Sequence, residues 1–285
     1  MMGEREIAVT VEVGRPRVRF SRLTVAGAVI VTAWVAVAML APLLAPYDPD
    51  ATDLRAFLQA PGSPGHLLGT DHLGRDVLSR IVYGTRIDLS MGVIGVMAPF
   101  LIGVALGVVS GYSGGLVDTV LMRLVDVALA FPFLVLVLAI VAILGPGLTN
   151  YYVALAIVAW VPYCRLVRAE TLVLKRSEFV ESARLLGLSH VAIMRRHILP
   201  NAITPAAVFV VTDIVLTILL GSGLSFFGLG AQPPTAEWGR MIAEGQNFLS
   251  QGWWISVFPG IALILLTLGF SLLGDGLAKQ LRVRA

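Results

Sequence analysis

The chain has 285 residues, of which 57% are hydrophobic and 14% charged, and its formal net charge is +3. A soluble domain of this length needs far more charge to cover its surface, so the composition excludes that class and predicts a protein of the lipid bilayer. The basic residues lie in short segments between apolar runs, which argues against nucleic-acid binding. Cys164 is the only cysteine, so neither an intrachain disulfide nor a cysteine metal cluster is possible.

Six apolar segments are long enough to cross a bilayer, which takes about 20 residues per helix. In chain order they are residues 23–44, 89–109, 116–144, 150–167, 203–229 and 253–277. The first follows several arginines, as in a signal peptide, but it is too long and no small-residue cleavage site follows it. We therefore expect a retained anchor and, for the whole chain, an all-α polytopic membrane protein with six transmembrane helices.

The lysines and arginines are divided unequally between the segments that join these spans. Sixteen of the 21 fall in the two terminal tails, near residue 123, and in and before the loop that follows the fourth span. The other five, which lie in the remaining connections, are Arg55, Arg75, Arg80, Arg86 and Arg240. The positive-inside rule then predicts an inner-membrane protein with both termini in the cytoplasm.

This orientation divides the chain into tails, spans and loops. The predicted order is a cytoplasmic tail (1–22), a first transmembrane helix (23–45), an external segment (46–86), a core of five transmembrane helices (87–279) and a second cytoplasmic tail (280–285). Within the core we expect a cytoplasmic loop at about 175–201 and an external loop at about 231–252.

The loop 175–201 carries the signals of two short helices. Ser177 is placed to cap the first, which ends at Gly187, and Ser189 to cap the second, which stops at Pro200. In the first helix, one apolar face is predicted by the helical spacing of Phe179, Ala183 and Leu186. Two capped helices predict a compact cytoplasmic protrusion. The alternative is an amphipathic segment that lies flat on the lipid headgroups, and periodicity alone does not separate the two.

The same loop resembles a motif of ABC-importer permeases. Glu181-Ser182-Ala183-x3-Gly187, followed by His197-Ile198-Leu199-Pro200-Asn201, is similar to their E-A-A-x3-G loop, with Ser182 in place of the usual first Ala. In that family the loop forms the coupling helix that docks into a groove of the ATPase subunit. The resemblance therefore implies an ATPase-coupling role for Glu181, Ser182, Ala183, Gly187, Leu199 and Pro200.

An ordered series of further motifs resembles the C-type subunits of dipeptide and oligopeptide permeases. Together they cover about residues 64 to 276, and they include Leu68-Gly69-Thr70-Asp71-x2-Gly74-Arg75-Asp76-x2-Ser79-Arg80, Leu129-Ala130-Phe131-Pro132, Leu224-Ser225-Phe226-Phe227-Gly228-Leu229-Gly230 and Leu273-Gly274-Asp275. The resemblance implies the type I ABC-importer permease fold with a cytoplasmic coupling helix. It also implies four partners, namely a homologous B-type permease subunit, two ATP-binding-cassette ATPase subunits and an external substrate-binding protein. One departure is Gly221, which stands where the pattern has Glu.

The chain lacks the motif that an ATPase needs. A P-loop reads G-x4-G-K-[ST], and neither of the two lysines, Lys175 and Lys279, fits it. We expect no enzyme activity and no cofactor in this chain, with ATP hydrolysis in partner chains. Peptides are the favoured cargo, and nickel, haem or another small solute is the alternative. A secondary transporter would call for inverted repeats with broken helices, which the sequence does not contain.

Charged residues inside predicted spans are costly and therefore candidates for function. Arg123 lies three residues before Asp126, so an ion pair on one helical face is the simplest interpretation, beside a role in the pathway. Asp213 has no local partner. It is expected either to contact another helix or a sibling subunit, or to line the pathway.

The external segment 46–86 concentrates charge in Asp71, Arg75, Asp76 and Arg80. The two aspartates and His72 could in principle hold an oxygen-preferring cation. The intervening Arg75 and the resemblance to the permease motif favour a structural or docking segment instead. The four histidines are scattered along the chain, so we expect no metal site.

Overall fold

The computed structural model describes residues 21–282, so most of the predicted tails 1–22 and 280–285 lies outside the described residues. Within this range the fold is α-helical, and strand-like pairing is limited to isolated bridges between Ser63 and His66 and between Thr70 and Asp76. The predicted all-α class is therefore confirmed.

The α-helices of the described residues are, in chain order, α1 (Arg22–Met39), α2 (Ala41–Leu44), α3 (Val77–Ser113), α4 (Gly115–Leu129), α5 (Phe133–Leu144), α6 (Leu148–Val158), α7 (Trp160–Leu174), α8 (Glu178–Leu185), α9 (His190–Ile193), α10 (Leu199–Phe226), α11 (Trp238–Gly245) and α12 (Trp254–Arg282). Short 3₁₀ turns occur at Leu54–Ala56 and Gln246–Phe248, and a π-helical turn occupies Met194–Ile198.

Five helical stretches among the described residues are long and apolar enough to cross a membrane, namely Arg22–Met39, Val77–Ser113, Leu148–Leu174, His190–Phe226 and Trp254–Gln280. The third predicted span, 116–144, is instead two helices, α4 and α5, bent by 85° at a short break. The break contains Pro132, which has no N–H to donate and disfavours the helical conformation of Phe131 before it. The chain has the six predicted spans when this bent pair counts as one.

Small residues bring the long helices into close contact. Gly103, Gly107 and Gly111 recur at every fourth position of α3 and face α7. A Cβ added at any of them would lie only 2.5–2.7 Å from an α7 atom, so no larger side chain fits there without a shift of the helices. Such stripes of small residues are typical of helix packing within membranes. They place α3 at the centre of the bundle, where α7, α6 and α10 pack around it.

Two helix ends differ from the sequence pattern. The second span was predicted to begin at residue 89, but α3 already begins at Val77, within the predicted external segment 46–86, because the Asp76 carboxylate accepts a hydrogen bond from the N–H of Ser79 at 2.8 Å and caps the helix. The second short helix of loop 175–201 was expected to stop at Pro200, but the helix runs on into α10. A π-helical turn precedes the proline and spreads the preceding carbonyls, which gives its ring the space that a regular α-helix lacks.

The loops gather at two opposite ends of the bundle. At one end, which we call the 231–252 end, the N–H of Gly147 donates to Leu229 O at 3.1 Å and Trp254 Nε1 donates to Thr70 O at 2.9 Å. At the other, the 175–201 end, Tyr112 at the close of α3 meets His190 of α9, with 2.9 Å between Tyr112 Oη and His190 Nδ1. The predicted external elements thus share one end, and the predicted coupling loop lies at the other.

Candidate functional site

The 175–201 end contains the predicted coupling helix, α8, and the turn that follows it. Ser177 occupies the N-cap position, but its hydroxyl donates to Leu174 O at 2.6 Å, so the predicted side-chain cap is not formed. Ser189 does cap α9, because its Oγ accepts from the N–H of Ala192 at 3.3 Å. One of the two predicted caps is therefore confirmed.

Gly187 reverses the chain between α8 and α9. Its φ is +77°, the left-handed conformation that glycine adopts without strain. The N–H of Leu188 donates to Ala183 O at 3.2 Å and that of Gly187 donates to Arg184 O at 2.9 Å. These two bonds define a Schellman motif, which satisfies the last carbonyls of α8. The helix, the glycine and the second helix therefore form a hairpin.

The predicted apolar face of α8 is only partly right. Ala183 is buried, but Phe179 and Leu186 are exposed, and the face that packs on the bundle is formed by Val180 and Ala183 instead. The face that packs on the bundle is therefore rotated from the predicted i, i+4, i+7 stripe, and Ala183 is common to both.

The hairpin presents a second apolar surface that points away from the bundle. Leu185 is 85% exposed, Leu186 79% and Val191 67%. Glu181 and Ser182 are also exposed, whereas Ala183 is buried. Farther along, Leu199 is half-buried and Pro200 exposed. We call Leu185, Leu186 and Val191 the hairpin tip.

The hairpin is attached to the rest of the bundle through α3. Beside the contact between Tyr112 and His190, the Arg184 guanidinium lies over the Tyr112 ring, 5.5 Å from its centroid. These residues border a cavity of about 310 Å³ together with Ser113 and Met194. A movement of α8 would therefore act directly on the end of α3.

The predicted pair of Arg123 and Asp126 is present but weak. Arg123 Nη1 lies 3.9 Å from Asp126 Oδ2, and the two side chains are 80% and 64% exposed. Exposed pairs at such distances contribute little to stability in water. Both groups lie on the outside of α4, within the bent pair.

Asp213 of α10 has a partner on another helix. Tyr163 of α7 donates its hydroxyl to Asp213 Oδ2 at 2.7 Å. The Tyr163 ring packs edge-on against Phe100 and Phe209, at centroid distances of 5.6 and 5.2 Å. Asp213 is half-buried, so the expected contact with another helix is found, and its role in a pathway remains a prediction.

Sequence reasoning missed a stronger ion pair near the 175–201 end. Arg168 of α7 donates from Nε and Nη2 to the two carboxylate oxygens of Asp118 at 2.6 and 2.7 Å, and Ser110 donates to the same carboxylate. Asp118 and Arg168 are 50 positions apart, so no local spacing relates them.

At the 231–252 end, charged residues of the predicted external segment form a buried cluster. Arg75 donates from Nε to Asp71 Oδ2 at 2.6 Å and from Nη2 to Glu244 Oε2 at 2.7 Å. Arg80, also buried, lies 3.8 Å from Asp71 and 3.7 Å from Glu244. Burial alone would raise the pKa of Glu244, but the charges of Arg75 and Arg80 outweigh it and the pKa is lowered. Since Glu244 belongs to α11, the cluster joins this segment to the loop 231–252.

Asp76 is placed apart from this cluster. It caps α3 and its Oδ1 lies 2.9 Å from His66 Nδ1. Ligand atoms of Asp71, His72 and Glu244 lie within 4.8 Å of one another, but both carboxylates are already paired with Arg75. The arrangement is that of a structural contact between the segment 46–86 and the loop 231–252.

The glycine at position 221 also has a structural reason. A Cβ there would lie 2.5 Å from Met91 Sδ and 3.2 Å from the Tyr151 ring. No glutamate fits at this position in the observed packing. Gly221, which stands where the permease pattern has Glu, therefore allows close contacts between α10, α3 and α6.

Comparison with known proteins identifies the family. Residues 103–284 match the binding-protein-dependent transport system inner membrane component, and residues 15–61 match the N-terminal transmembrane domain of oligopeptide transport permease C. The chain belongs to this permease family. It is thus an inner-membrane permease component of the C type, as the motifs predicted.

Several permeases are similar over nearly the whole chain. The probable D,D-dipeptide transport system permease protein DdpC of Escherichia coli is 42% identical, covering 93% of this chain and 89% of the relative. The glutathione transport system permease protein GsiD of Pectobacterium atrosepticum is 42% identical with 92% and 88% covered, and the dipeptide transport system permease protein DppC of Haemophilus influenzae is 41% identical with 86% and 85% covered.

Solved structures share the fold. The inward-facing MetNI methionine ABC transporter matches with a TM-score of 0.54 at 19% identity, covering 69% of this chain and 93% of that one. An amino acid ABC transporter with histidines matches with a TM-score of 0.52 at 21% identity, covering 69% and 91%. At such low identity these likenesses establish the ABC-importer permease fold alone.

Proposed function

We propose that this permease is the C-type subunit of an ABC importer for dipeptides or oligopeptides, and that it forms half of the translocation pathway. The observation that carries the proposal is the similarity at about 40% identity, over most of the chain, to permeases for dipeptides and glutathione. Glutathione is itself a small peptide. These relatives favour peptides over nickel or haem as the cargo.

The second half of the pathway is supplied by a homologous B-type permease, and two ATPase chains and an external binding protein complete the importer. The chain has no P-loop, so ATP is hydrolysed by the partners. Both termini and the loop 175–201 lie in the cytoplasm, where the ATPases are. The unequal distribution of basic residues supports this orientation.

The hairpin α8–α9 is the contact with the ATPase. Two features support this role: the match of Glu181 to Gly187 with the coupling motif, and the exposed hairpin tip. Exposed apolar residues on a protrusion are typical of protein interfaces. The hairpin also has its own packed face, Val180 and Ala183, so the exposed residues are not needed for folding. A single amphipathic helix on the headgroups would need no Schellman turn.

The other candidate residues have separate roles. Asp213, Asp126 and Arg123 contribute polar groups to the pathway or its subunit interface, where carboxylates are tolerated beside water. Asp71, Arg75, Asp76 and Arg80 hold the external segment in the shape on which the binding protein docks.

Uptake by cells tests the cargo. In a strain that lacks this gene and needs an amino acid for growth, we expect the wild-type chain to restore growth on a dipeptide containing that amino acid. Restored nickel uptake without restored peptide uptake would contradict the proposal. ATP-dependent peptide uptake by the purified chain alone, reconstituted in vesicles, would refute the need for partners.

A further inference from the structure

Two carboxyl groups meet in the interior of the 231–252 end without a basic partner. Asp88 lies in α3 and Glu237 caps α11, and both are 0% exposed. Asp88 Oδ1 accepts from Ser222 Oγ of α10 at 3.1 Å, and Asp88 Oδ2 accepts from the N–H of Trp238 at 3.2 Å. The pair therefore stands at the junction of two spans and the loop 231–252.

The surroundings of Glu237 favour its ionised form. Its Oε1 accepts from the N–H of Gly239 at 2.8 Å and its Oε2 accepts from the N–H of Arg240 at 2.7 Å. Both oxygens thus face donors of the α11 N-terminus, an arrangement that suits a negative charge. The opposing effect is burial, which is the larger of the two and raises the pKa of Glu237.

Both carboxyl groups accept from neighbouring N–H groups at the start of α11: Asp88 from that of Trp238, and Glu237 from those of Gly239 and Arg240. The two groups therefore lie side by side in the interior, where two negative charges without a cation repel each other. A carboxylate has only acceptor atoms, so one member of such a pair must carry a proton before the two can pair. Asp88 suits the proton better, because one of its two donors is the hydroxyl of Ser222, which can also accept a hydrogen bond.

No cation compensates this pair among the described residues. Arg240 Nε is turned to Glu244 at 3.2 Å, and Arg80 faces Asp71 and Glu244. Arg86 donates to Ala38 O at 2.6 Å.

The other polar groups near the pair are uncharged. On α6, the hydroxyl of Tyr151 donates to Thr217 O at 2.5 Å, and that of Tyr152 lies 2.9 Å from Ser90 Oγ. The Trp34 ring packs against Trp238, with 5.2 Å between the centroids.

We propose that Asp88 and Glu237 form a proton-binding site, which holds one proton on Asp88 beside ionised Glu237. The bound proton ties α11 to α3 and α10. Its loss leaves two negative charges in a site that water does not reach, which loosens the loop 231–252. This site is independent of which solute the permease carries.

The sign of the pH dependence follows from the number of protons bound. In the unfolded chain both carboxyls lose their protons near pH 4, whereas the folded pair keeps one. Unfolding at pH 6 to 9 therefore releases a proton, so the stability of the folded protein falls as the pH rises through this range.

Infrared spectroscopy and thermal unfolding of the assembled importer in detergent test the site. We expect the wild type to show a protonated-carboxyl C=O band at pH 8, and Asp88→Asn to lose that band. Its neutral amide leaves one titrating carboxyl in the site, so D88N should also lose most of the pH dependence of the unfolding temperature. For the wild type we expect a fall of about 5 °C or more between pH 6 and 9. Asp53→Asn, the same change at an exposed position of the segment 46–86, should alter neither.

Two results would overturn the proposal: absence of the band in the wild type at pH 8, or the same band and the same pH slope in D88N as in the wild type. If D88N does not assemble, Asp213→Asn serves instead. It removes the half-buried carboxyl of α10, which is hydrogen-bonded to Tyr163 and not to a basic residue, and the band must survive in it. Loss of the whole band in D213N would assign the proton to Asp213 and refute the site.

Discussion

Charged residues of this permease differ mainly in whether they have a close partner. Asp118 receives two hydrogen bonds from Arg168 at 2.6 and 2.7 Å, whereas Asp126 lies 3.9 Å from an arginine that is 80% exposed. The first pair joins α4 to α7, and the second connects neighbours on one helix. The two aspartates therefore offer a matched comparison of the same substitution.

Asp118→Asn should destabilise the protein more than Asp126→Asn. The substitution removes the negative charge to which two guanidinium N–H groups and the Ser110 hydroxyl donate hydrogen bonds. A charge-assisted hydrogen bond contributes about 1.5–3 kcal/mol to stability. For Asp126→Asn we expect a change within about 0.5 kcal/mol. The measurement is the thermal unfolding of each purified variant, and equal unfolding temperatures for the two would show that the Asp118–Arg168 pair contributes nothing.

The buried cluster around Arg75 gives a second prediction. Arg75→Ala leaves Asp71 and Glu244 buried without their main partner, and breaking a buried pair in this way costs about 3–5 kcal/mol. Arg55→Ala, at an exposed position of the same segment, is the control and should be neutral. The lowered pKa of Glu244 means that its pairing stabilises the fold above the unfolded pKa of about 4.3 and is lost as the pH falls below it. Unfolding measured from pH 7 to about 3 should therefore bring the two variants closer together at the acid end.

Local spacing predicts only local partners. The i, i+3 relation correctly indicated the pair of Arg123 and Asp126. It could not indicate Tyr163 for Asp213 or Arg168 for Asp118, because those contacts depend on how α7 lies against α10 and α4. Asp213 could be named as a candidate from the sequence, but its partner could not, and the pair of Asp118 and Arg168 was not predicted at all.

The apolar segments of the sequence predicted the positions of the membrane spans well, but they predicted the ends of the helices poorly. The composition of residues 77–88 is too polar for a predicted span, yet α3 begins there because Asp76 caps it, Arg80 lies near buried carboxylates and Asp88 is hydrogen-bonded inside the protein. Pro200 likewise looked like a helix end, and the π-helical turn before it could not be foreseen. Gly187 is the opposite case: its position alone predicted the turn, and its φ of +77° confirms it.

Variants of Gly187 can show whether the turn depends on the backbone conformation of this residue or on the volume of its side chain. Nothing lies within 4 Å of a Cβ added there, so the limit is the positive φ and not a clash. Gly187→Val should distort the hairpin, because β-branched residues avoid this conformation, while Gly187→Asn should be tolerated. The measurement is co-purification of the ATPase chains at equal membrane levels of the variants. Equal recovery with both would show that the turn is not needed for docking.

Glu181→Lys tests the same contact through charge. Glu181 is exposed on α8, so its replacement leaves the packing on the bundle intact. We expect the variant to insert into the membrane normally but to co-purify with less of the ATPase chains. A lysine at the docking site would repel the groups of the ATPase that a glutamate attracts. A helix lying on anionic headgroups would instead tolerate the lysine, and unchanged recovery would support that alternative.

For the whole molecule, the order of spans and the grouping of loops at two ends could be predicted, since each crossing reverses the chain. The sequence did not reveal the 85° bend between α4 and α5, because the Leu129–Pro132 motif was interpreted as lying within one span. The bend leaves many large apolar side chains of α4 and α5 exposed. A surface of this kind suits lipid or a second permease subunit.

The orientation of the two ends can be tested because the chain has one cysteine, and Cys164 is buried. Ser250 at the 231–252 end and Ser189 at the 175–201 end are both exposed serines, so their cysteine variants form a matched pair. If the basic residues set the orientation, a membrane-impermeant maleimide should label S250C in intact spheroplasts and S189C only after permeabilisation. The wild-type chain should remain unlabelled in both conditions. Labelling of S189C in intact spheroplasts would place the hairpin outside the cell, where no ATPase could reach it, and would refute the orientation and the coupling role together.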